Sequence, residues 1–195
     1  LTRARPCPTL RCLARNVIFV APFPSDATMR FVRAVSSLDD VRLLGVVHTP
    51  PTGEDAGVYH DLVRVTEPGS LEDVLDGVEV RRRRHGAPYR IVGILELMMV
   101  TLAQARARYG VAGTSVETAE LFREKARMKE ALGAAGLPVA QHRLLTSETQ
   151  AAAFAEQVGF PLILKPPAGM GAKATFRVST TAELLRAIRG LGVNR

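Results

Sequence analysis

Tryptophan is absent from the 195 residues, and the other aromatics are few, three Tyr and seven Phe. Any core must therefore be assembled from Ala, Val and Leu. Cysteine is nearly as scarce: Cys7 and Cys12 stand in the first fifteen residues, and their C-x4-C spacing has no second pair or histidine to complete a zinc site. Free thiols in a reducing cytosol follow, and the expected location is cytoplasmic. No apolar run reaches the roughly 18 residues of a membrane span. The start also lacks the continuous apolar segment of a signal peptide. No G-x-G-x-x-G follows the first apolar run, so dinucleotide binding has no fingerprint. His48, His60, His85 and His142 show no metal-ligand spacing with carboxylates and read as loop or surface residues. No metal ligand is assigned, and no cluster of Asp, Glu and Asn at metal spacing follows residue 160.

What is present is globular. Hydrophobic residues make up 47% and charged residues only 23%, outside the range of disordered chains, and the length suits one ordinary domain or two small ones. The net charge of +7 is local. Residues 1–15 hold four arginines and no acid, and Arg81 to Arg84 add four more. These eight exceed the whole excess, so the rest of the chain is nearly neutral. A nucleic-acid surface spreads basic groups along a face, often with aromatics between them, and a solvated charge run is the plainer reading here. Residues 1–15 read as a disordered basic leader, although an Arg-rich, acid-free start also fits a transit peptide. A first residue of Leu is what a fragment would show.

Asn16 to Ala21 is a continuous apolar run ending at Pro22, as in a strand buried on both faces of a parallel sheet. Ser25 or Asp26 can cap a helix over Ala27 to Leu38, with Phe31, Ala34, Val35 and Leu38 on one face. Strands follow at Val41 to Val47 and Leu62 to Val65, separated by a Pro- and Gly-rich loop from His48 to Tyr59 placed where doubly wound sheets put ligand loops. Ser70 can cap a helix from Leu71 to about Val80 that turns Leu71, Val74, Leu75 and Val78 inward, with the arginine run after it. Tyr89 to Leu95 is a further buried strand; Glu96 stands at its end, as a substrate group or as a helix-start carboxylate, and Leu97 to Arg108 returns as a helix. Alternating strands and helices over residues 16–112 imply a parallel three-layer sheet.

The second half opens with helices Val116 to Phe122, capped by Ser115, and Glu124 to Ala135, stopped by Gly136 and Pro138. A strand is expected near Gln141 to Leu145, then a helix over Glu148 to Val158 with Ala152, Phe154, Ala155 and Val158 inward. Gly159 to Val178 is the most informative stretch. A short strand, Phe160 to Leu164, delivers Lys165 to its end, a small-residue loop Ala168-Gly169-Met170-Gly171-Ala172 follows, and a second strand begins near Thr175. Glycines let successive backbone N–H groups converge on an anion, and Lys165 and Lys173 bracket the loop with positive charge. The same residues also fit an ordinary hairpin with solvated lysines. Thr180 to Glu183 has capping-box form ahead of a final helix over Leu184 to Leu191.

Lys125, the 40-residue spacing to Lys165, and GFPLILKP leading into the glycine loop together resemble the first half of an ATP-grasp domain, in the style of biotin carboxylase and carbamoyl phosphate synthetase. The motif likeness covers residues 110–195. The fold implied is α/β: a Rossmann-like parallel-sheet domain over residues 16–114 ahead of the first α+β lobe of an ATP-grasp domain over 115–195, the latter incomplete. By the resemblance, Lys125 reaches the nucleotide phosphates from its helix, and Lys165 contacts the α-phosphate and the adenine side. Gly169, Met170, Gly171 and Ala172 form the loop that folds over the triphosphate, and Lys173 takes the place of an arginine. Pro166 and Pro167 stand where small polar residues are usual, and the loop is poorer in glycine.

The resemblance implies ATP and Mg2+ as cofactors, with the metal ligands and catalytic arginine in a second lobe beyond Arg195. It implies transfer of the γ-phosphate to a carboxylate, whose acyl phosphate then meets an amine or thiol. The expected protein is an ATP-dependent ligase whose present segment is inactive alone and holds no assigned catalytic residue. Its partners would be a small-molecule carboxylate and a nucleophile, without nucleic acid or membrane, and a homo-oligomer is compatible with it. The alternatives are a nucleotide-binding or interaction module with a grasp-like fold and no turnover, and a basic nucleic-acid binder, for which steep salt dependence and sensitivity to replacement of Arg81 to Arg84 would be diagnostic.

Overall fold

The computed structural model describes residues 14–166 and 175–192. The chain divides after Val116 into two compact units.

Three apolar strands dictate the centre of the first unit. β1 (Arg15–Val20), β2 (Val41–Val47), β3 (Asp61–Arg64) and β4 (Arg90–Val92) form one sheet in the order β3-β2-β1-β4. Every pairing is parallel, with Ile18 opposite Leu44 and Ile91, and Val46 opposite Val63. Alternation sends successive side chains to opposite faces. Val17, Phe19, Leu43 and Val47 therefore meet Met29 and Val32 of α1 (Asp26–Ser36). Ile18, Val20, Leu44, Val46 and Ile91 meet Val74 and Val78 of α2 (Leu71–His85), and Leu102 and Ala105 of α3 (Met99–Tyr109). Both faces are covered, which is why the strands read as unbroken hydrophobic runs. Each fully buried aliphatic contributes about 1.5–3 kcal/mol of transfer free energy.

Local signals set the helix starts. The Ser25 and Ser70 hydroxyls accept from the backbone N–H groups of Thr28 and Asp73, each satisfying one of the donors left over in a first turn. At Gly45 an added Cβ would meet Leu62 and Tyr59 at 3.0 Å, so this glycine lets β3 and the Tyr59 ring close on β2.

Several expectations need correction. α1 buries Thr28, Met29 and Val32, while Phe31 and Leu38 are 56% and 51% exposed and Ala34 is exposed. The helix carries two apolar stripes, and the Met29–Val32 side wins because it lies over the sheet. α2 runs on through Arg81 to Arg84 to His85, because the run is paired within the fold. Arg81 and Arg84 meet Asp61, the latter at 3.1 Å, while Arg82 and Arg83 meet Glu79 at 2.8 Å. His85 is not a loop residue: it closes α2, and its Nε2 lies 2.7 Å from Asp61 Oδ2. β4 stops at Val92, short of the expected Leu95, and at Gly93 beyond it an added Cβ would lie 2.8 Å from the Val20 carbonyl.

The second unit has its own small core. α4 (Val116–Arg123) and α5 (Lys125–Ala134) precede α6 (Glu148–Val158), the antiparallel pair β5 (Leu162–Leu164) and β6 (Phe176–Val178), and α7 (Thr181–Leu191). Ala151 and Ala155 of α6 pack with Val178, Leu184 and Ile188, and Leu162 and Leu164 lie against them. Of the four residues expected to face inward on α6, Ala155 is buried, Ala152, Phe154 and Val158 are half-buried, and Ala151 takes the other central place. Arg189 grips Glu148 through two hydrogen bonds of 2.8 and 2.9 Å, tying α7 to the start of α6. Thr180 accepts from the Glu183 N–H, and Glu183 reaches back to the Ser179 N–H at 2.8 Å, a capping box displaced by one residue. Residues 141–145 form no strand. They have no ladder partner among the described residues, and Leu145 packs on the small core as a loop side chain.

Candidate functional site

The long helices start in two ways: α3 and α5 have no acid in their first turn and no side-chain cap bond, and the others have both. Asp26 stands in the first turn of α1, Glu72 and Asp73 in that of α2, Glu148 in that of α6 and Glu183 in that of α7, as the positive end of a helix dipole favours. α5 opens on Lys125 and has no acid in its first turn, and Glu124 before it makes no side-chain cap bond. The far end is closed conventionally. Gly136 has φ +76°, Gly136 N–H donates to Gly133 O at 2.9 Å, and Leu137 N–H donates to Leu132 O at 3.0 Å. That is the paired-bond glycine stop expected from the sequence.

Lys129 lies one turn beyond Lys125, on the same side of α5. It is half-buried, and its Nζ donates to the Ala140 carbonyl at 3.3 Å. Desolvation, and then the positive field of Lys165, hold its ammonium below the usual lysine range. Lys165 is the residue after β5. Leu162 and Leu164 turn to the small core, whereas Ile163 is 59% exposed. Strand parity puts Lys165 on the outer side with Ile163, and it is exposed.

Lys129, which the sequence analysis did not single out, thus lies within the field of Lys165. The four-residue spacing puts it on the helix face of Lys125, but its nearness to β5 is not readable from the sequence. Lys125 is half-buried at the helix start. Gly169, Met170, Gly171, Ala172 and Lys173 lie outside the described residues.

This donor set suits a polyanion. Two ammonium groups in each other's field, one of them partly desolvated, are at odds until a phosphate lies between them. Nothing comparable favours a divalent cation: among the described residues, no three His, Cys, Asp or Glu side chains gather as a metal site.

The carboxyl edge of the parallel sheet, the other place where a ligand is expected, is occupied by its own contacts. The His48–Tyr59 loop is pinned where Arg33 donates to both Asp55 carboxylate oxygens at 2.7 and 2.8 Å. His48 packs edge-on against Phe23. Glu96 opens a single 3-10 turn that runs into α3, as a helix-start carboxylate would. No helix is long and apolar enough to cross a membrane among the described residues.

Comparison with known proteins falls on the same segment. Residues 124–191 match the family of the carbamoyl-phosphate synthase L chain, ATP binding domain. The chain carries an ATP-grasp segment. It is 36% identical over 86 residues to an L-arginine-specific L-amino acid ligase of Bacillus subtilis, a stretch covering 44% of this chain and 21% of that protein. It is 31% identical over 119 residues to the carbamoyl phosphate synthase large chain of Methanothermobacter thermautotrophicus, covering 60% of this chain and 11% of that one. The fold likeness extends further. An L-amino acid ligase from Bacillus licheniformis superposes with a TM-score of 0.71 at 18% identity, over 91% of this chain and 42% of the other. The biotin carboxylase domain of Hydrogenobacter thermophilus 2-oxoglutarate carboxylase, solved with MgADP and bicarbonate, gives 0.74 at 19% identity, over 91% and 40%. The parallel sheet with its flanking helices, followed by α5 to α7 and the β5–β6 hairpin, is thus the order of elements shared with ATP-grasp proteins, and the chain spans less than half the length of these relatives.

Proposed function

We propose that this chain provides the triphosphate-holding part of an ATP-dependent carboxylate–amine or carboxylate–thiol ligase that works through an acyl phosphate. The observation that carries the reading is the match of residues 124–191 to an ATP-binding domain, a segment in which Lys129 lies in the field of Lys165. Residues 16–114 act as the domain ahead of the grasp and 115–195 as the first part of the grasp itself, in a cytoplasmic protein.

In this reading Lys125 and Lys129 approach the phosphates from α5, and Lys165 approaches from the end of β5. The backbone of Gly169 to Ala172 covers the triphosphate, with Lys173 beside it. Their work is positioning and neutralisation, which is most of what phosphoryl transfer asks of a protein. ATP supplies the phosphoryl group when bound. Mg2+ accompanies it, but the described residues offer no carboxylate set to hold the ion, and no step is assigned to it here.

The test is thermal stabilisation by ATP with magnesium, for the wild type and Lys165→Ala. Ligand at ten times its dissociation constant stabilises by about 1.4 kcal/mol, which is a shift of a few degrees. That shift should be lost or sharply reduced in Lys165→Ala. No ATP effect on the wild type would leave an α/β interaction module instead.

A further inference from the structure

Arg177 of β6 shares the outer face of the hairpin with Lys165, and we propose that its guanidinium lies against the purine ring of the bound nucleotide. The inference rests on the reading of Lys165 as a phosphate contact. In the β5–β6 pair, Leu162 is opposite Val178 and Ile163 is opposite Arg177. Directly opposed residues of an antiparallel pair share a face. Leu162 and Val178 belong to the small core, so Ile163 and Arg177 stand together on the other side, and Lys165 joins them by strand parity. Ile163 is 59% exposed, and Arg177 and Lys165 are exposed with it.

An opposite charge directly across the ladder would stabilise a strand arginine, but Arg177 has an isoleucine there. The ion pairs of the second unit join Arg127 to Glu120 and Arg189 to Glu148, and Arg177 has none among the described residues. Its diagonal neighbour is Lys165, a like charge about 7–8 Å away. An uncommitted guanidinium beside an exposed aliphatic side chain, one step from a lysine, suits a ligand with an anionic end and a flat, less polar one.

The order along the hairpin assigns those ends. Residues 166–174 leave from Lys165 and return to β6, and the triphosphate is read as lying under them. Ile163 and Arg177 stand one pleat repeat further from that loop, about 7 Å, on the side where the nucleoside follows its α-phosphate. A guanidinium is planar, weakly hydrated and stacks on aromatic faces. Ile163 beside it supplies apolar surface for the same ring.

The test is isothermal titration calorimetry on the full chain, in magnesium, with ATP and separately with inorganic tripolyphosphate, which has the anionic end and no base. The wild type should bind both, and ATP more tightly. Lys165→Ala should weaken both. Arg177→Ala should weaken ATP about tenfold, the loss implied by a desolvated cation–π contact, and leave tripolyphosphate unchanged. Its ligand-free melting temperature should match the wild type, because the Arg177 side chain is exposed on the outer face. Arg177→Lys keeps the charge without the plane and should recover little of the loss. Equal weakening of both ligands by Arg177→Ala, or full recovery in Arg177→Lys, would make Arg177 a phosphate ligand and refute the base contact while leaving the nucleotide site standing. An Arg177→Ala protein that binds ATP as the wild type does would overturn the proposal, and a wild type that binds neither ligand would overturn it together with the reading it rests on.

Discussion

Gly77 lies inside α2 and Gly190 in the last turn of α7, and replacing each by Ala should change stability in opposite directions. In an open helix position the substitution gains about 1 kcal/mol, because Ala loses less backbone entropy than Gly. At Gly190 of α7 an added Cβ meets nothing within 4 Å, so that gain is realised in full. At Gly77 of α2 the Cβ would lie 2.8 Å from Val46 Cγ1, 3.1 Å from Val65 Cγ1 and 3.3 Å from Val46 Cγ2. Val46 is fully buried on β2, and a β-branched side chain has little rotamer freedom with which to yield. Overpacking of this kind costs about 1–3 kcal/mol, so against the gain of about 1 kcal/mol the net effect is destabilisation of up to about 2 kcal/mol. The three tyrosines, Tyr59, Tyr89 and Tyr109, all precede Val116. Tyrosine emission in urea thus follows the first unit, while far-ultraviolet circular dichroism follows both. Gly77→Ala should lower the emission midpoint, and Gly190→Ala should raise the later or separate dichroism transition. A Gly77→Ala protein at least as stable as wild type would show that α2 does not press on β2 as described.

Acid sensitivity of the first unit should centre on Asp61. Partial burial acts to raise its pKa, but hydrogen bonds from His85 and Arg81, with the fields of Arg81 and Arg84, outweigh this and bring it down to about 2. Below about pH 4 the unfolded chain takes up a proton there that the folded chain refuses, so stability is present above that pH and lost as pH falls towards 2. The drop caps the contribution at ~2.5 kcal/mol, and solvent screening reduces it to about 1 kcal/mol; urea midpoints between pH 6 and pH 2.5 should fall more in wild type than in Asp61→Asn, and parallel curves would refute the assignment. Lys129, with its pKa lowered by desolvation and Lys165, sets a dependence of the same sign in a different, alkaline window: the unfolded chain holds that proton to higher pH, so the ligand-free second unit gains stability as alkaline pH discharges the folded lysine. Lys129→Met should be more stable than wild type without ATP and respond less to ATP in the same melting assay, and an unchanged ATP response would remove Lys129 from the phosphate site.

The parallel sheet was legible because burial on both faces leaves an unmistakable pattern, an apolar run with no alternation. α1 was legible as a helix and illegible as a face. Phe31, Ala34, Val35 and Leu38 satisfy a helical period as well as Met29 and Val32 do, and only the position of β1 and β2 decides between them. The strand expected at residues 141–145 failed for a related reason: a β-propensity run becomes a strand only where a partner offers its ladder. At the site, Lys165 could be placed by its strand and Lys125 by its spacing. Lys129 could not, because its role depends on how close β5 comes to α5.

The two basic clusters show why a charge run carries little meaning until its partners are known. Arg81 to Arg84 are the densest positive charge in the folded part of the sequence, yet two carboxylates, Asp61 and Glu79, engage all four. Glu79 is held at about 2 by hydrogen bonds from Arg82 and Arg83, so it keeps its charge wherever the protein is folded. A duplex or strand binding there would have to compete with pairs already made, which removes much of the counterion-release gain that drives such binding. The lysines of the second unit are fewer and less conspicuous. Lys129 lowers its pKa through desolvation and then the field of Lys165, an electrostatic cost borne in the free protein. A polyanion relieves that cost at this site and gains little at the other. The sparser cluster is therefore the one proposed for phosphate, while the denser one holds α2 to the start of β3.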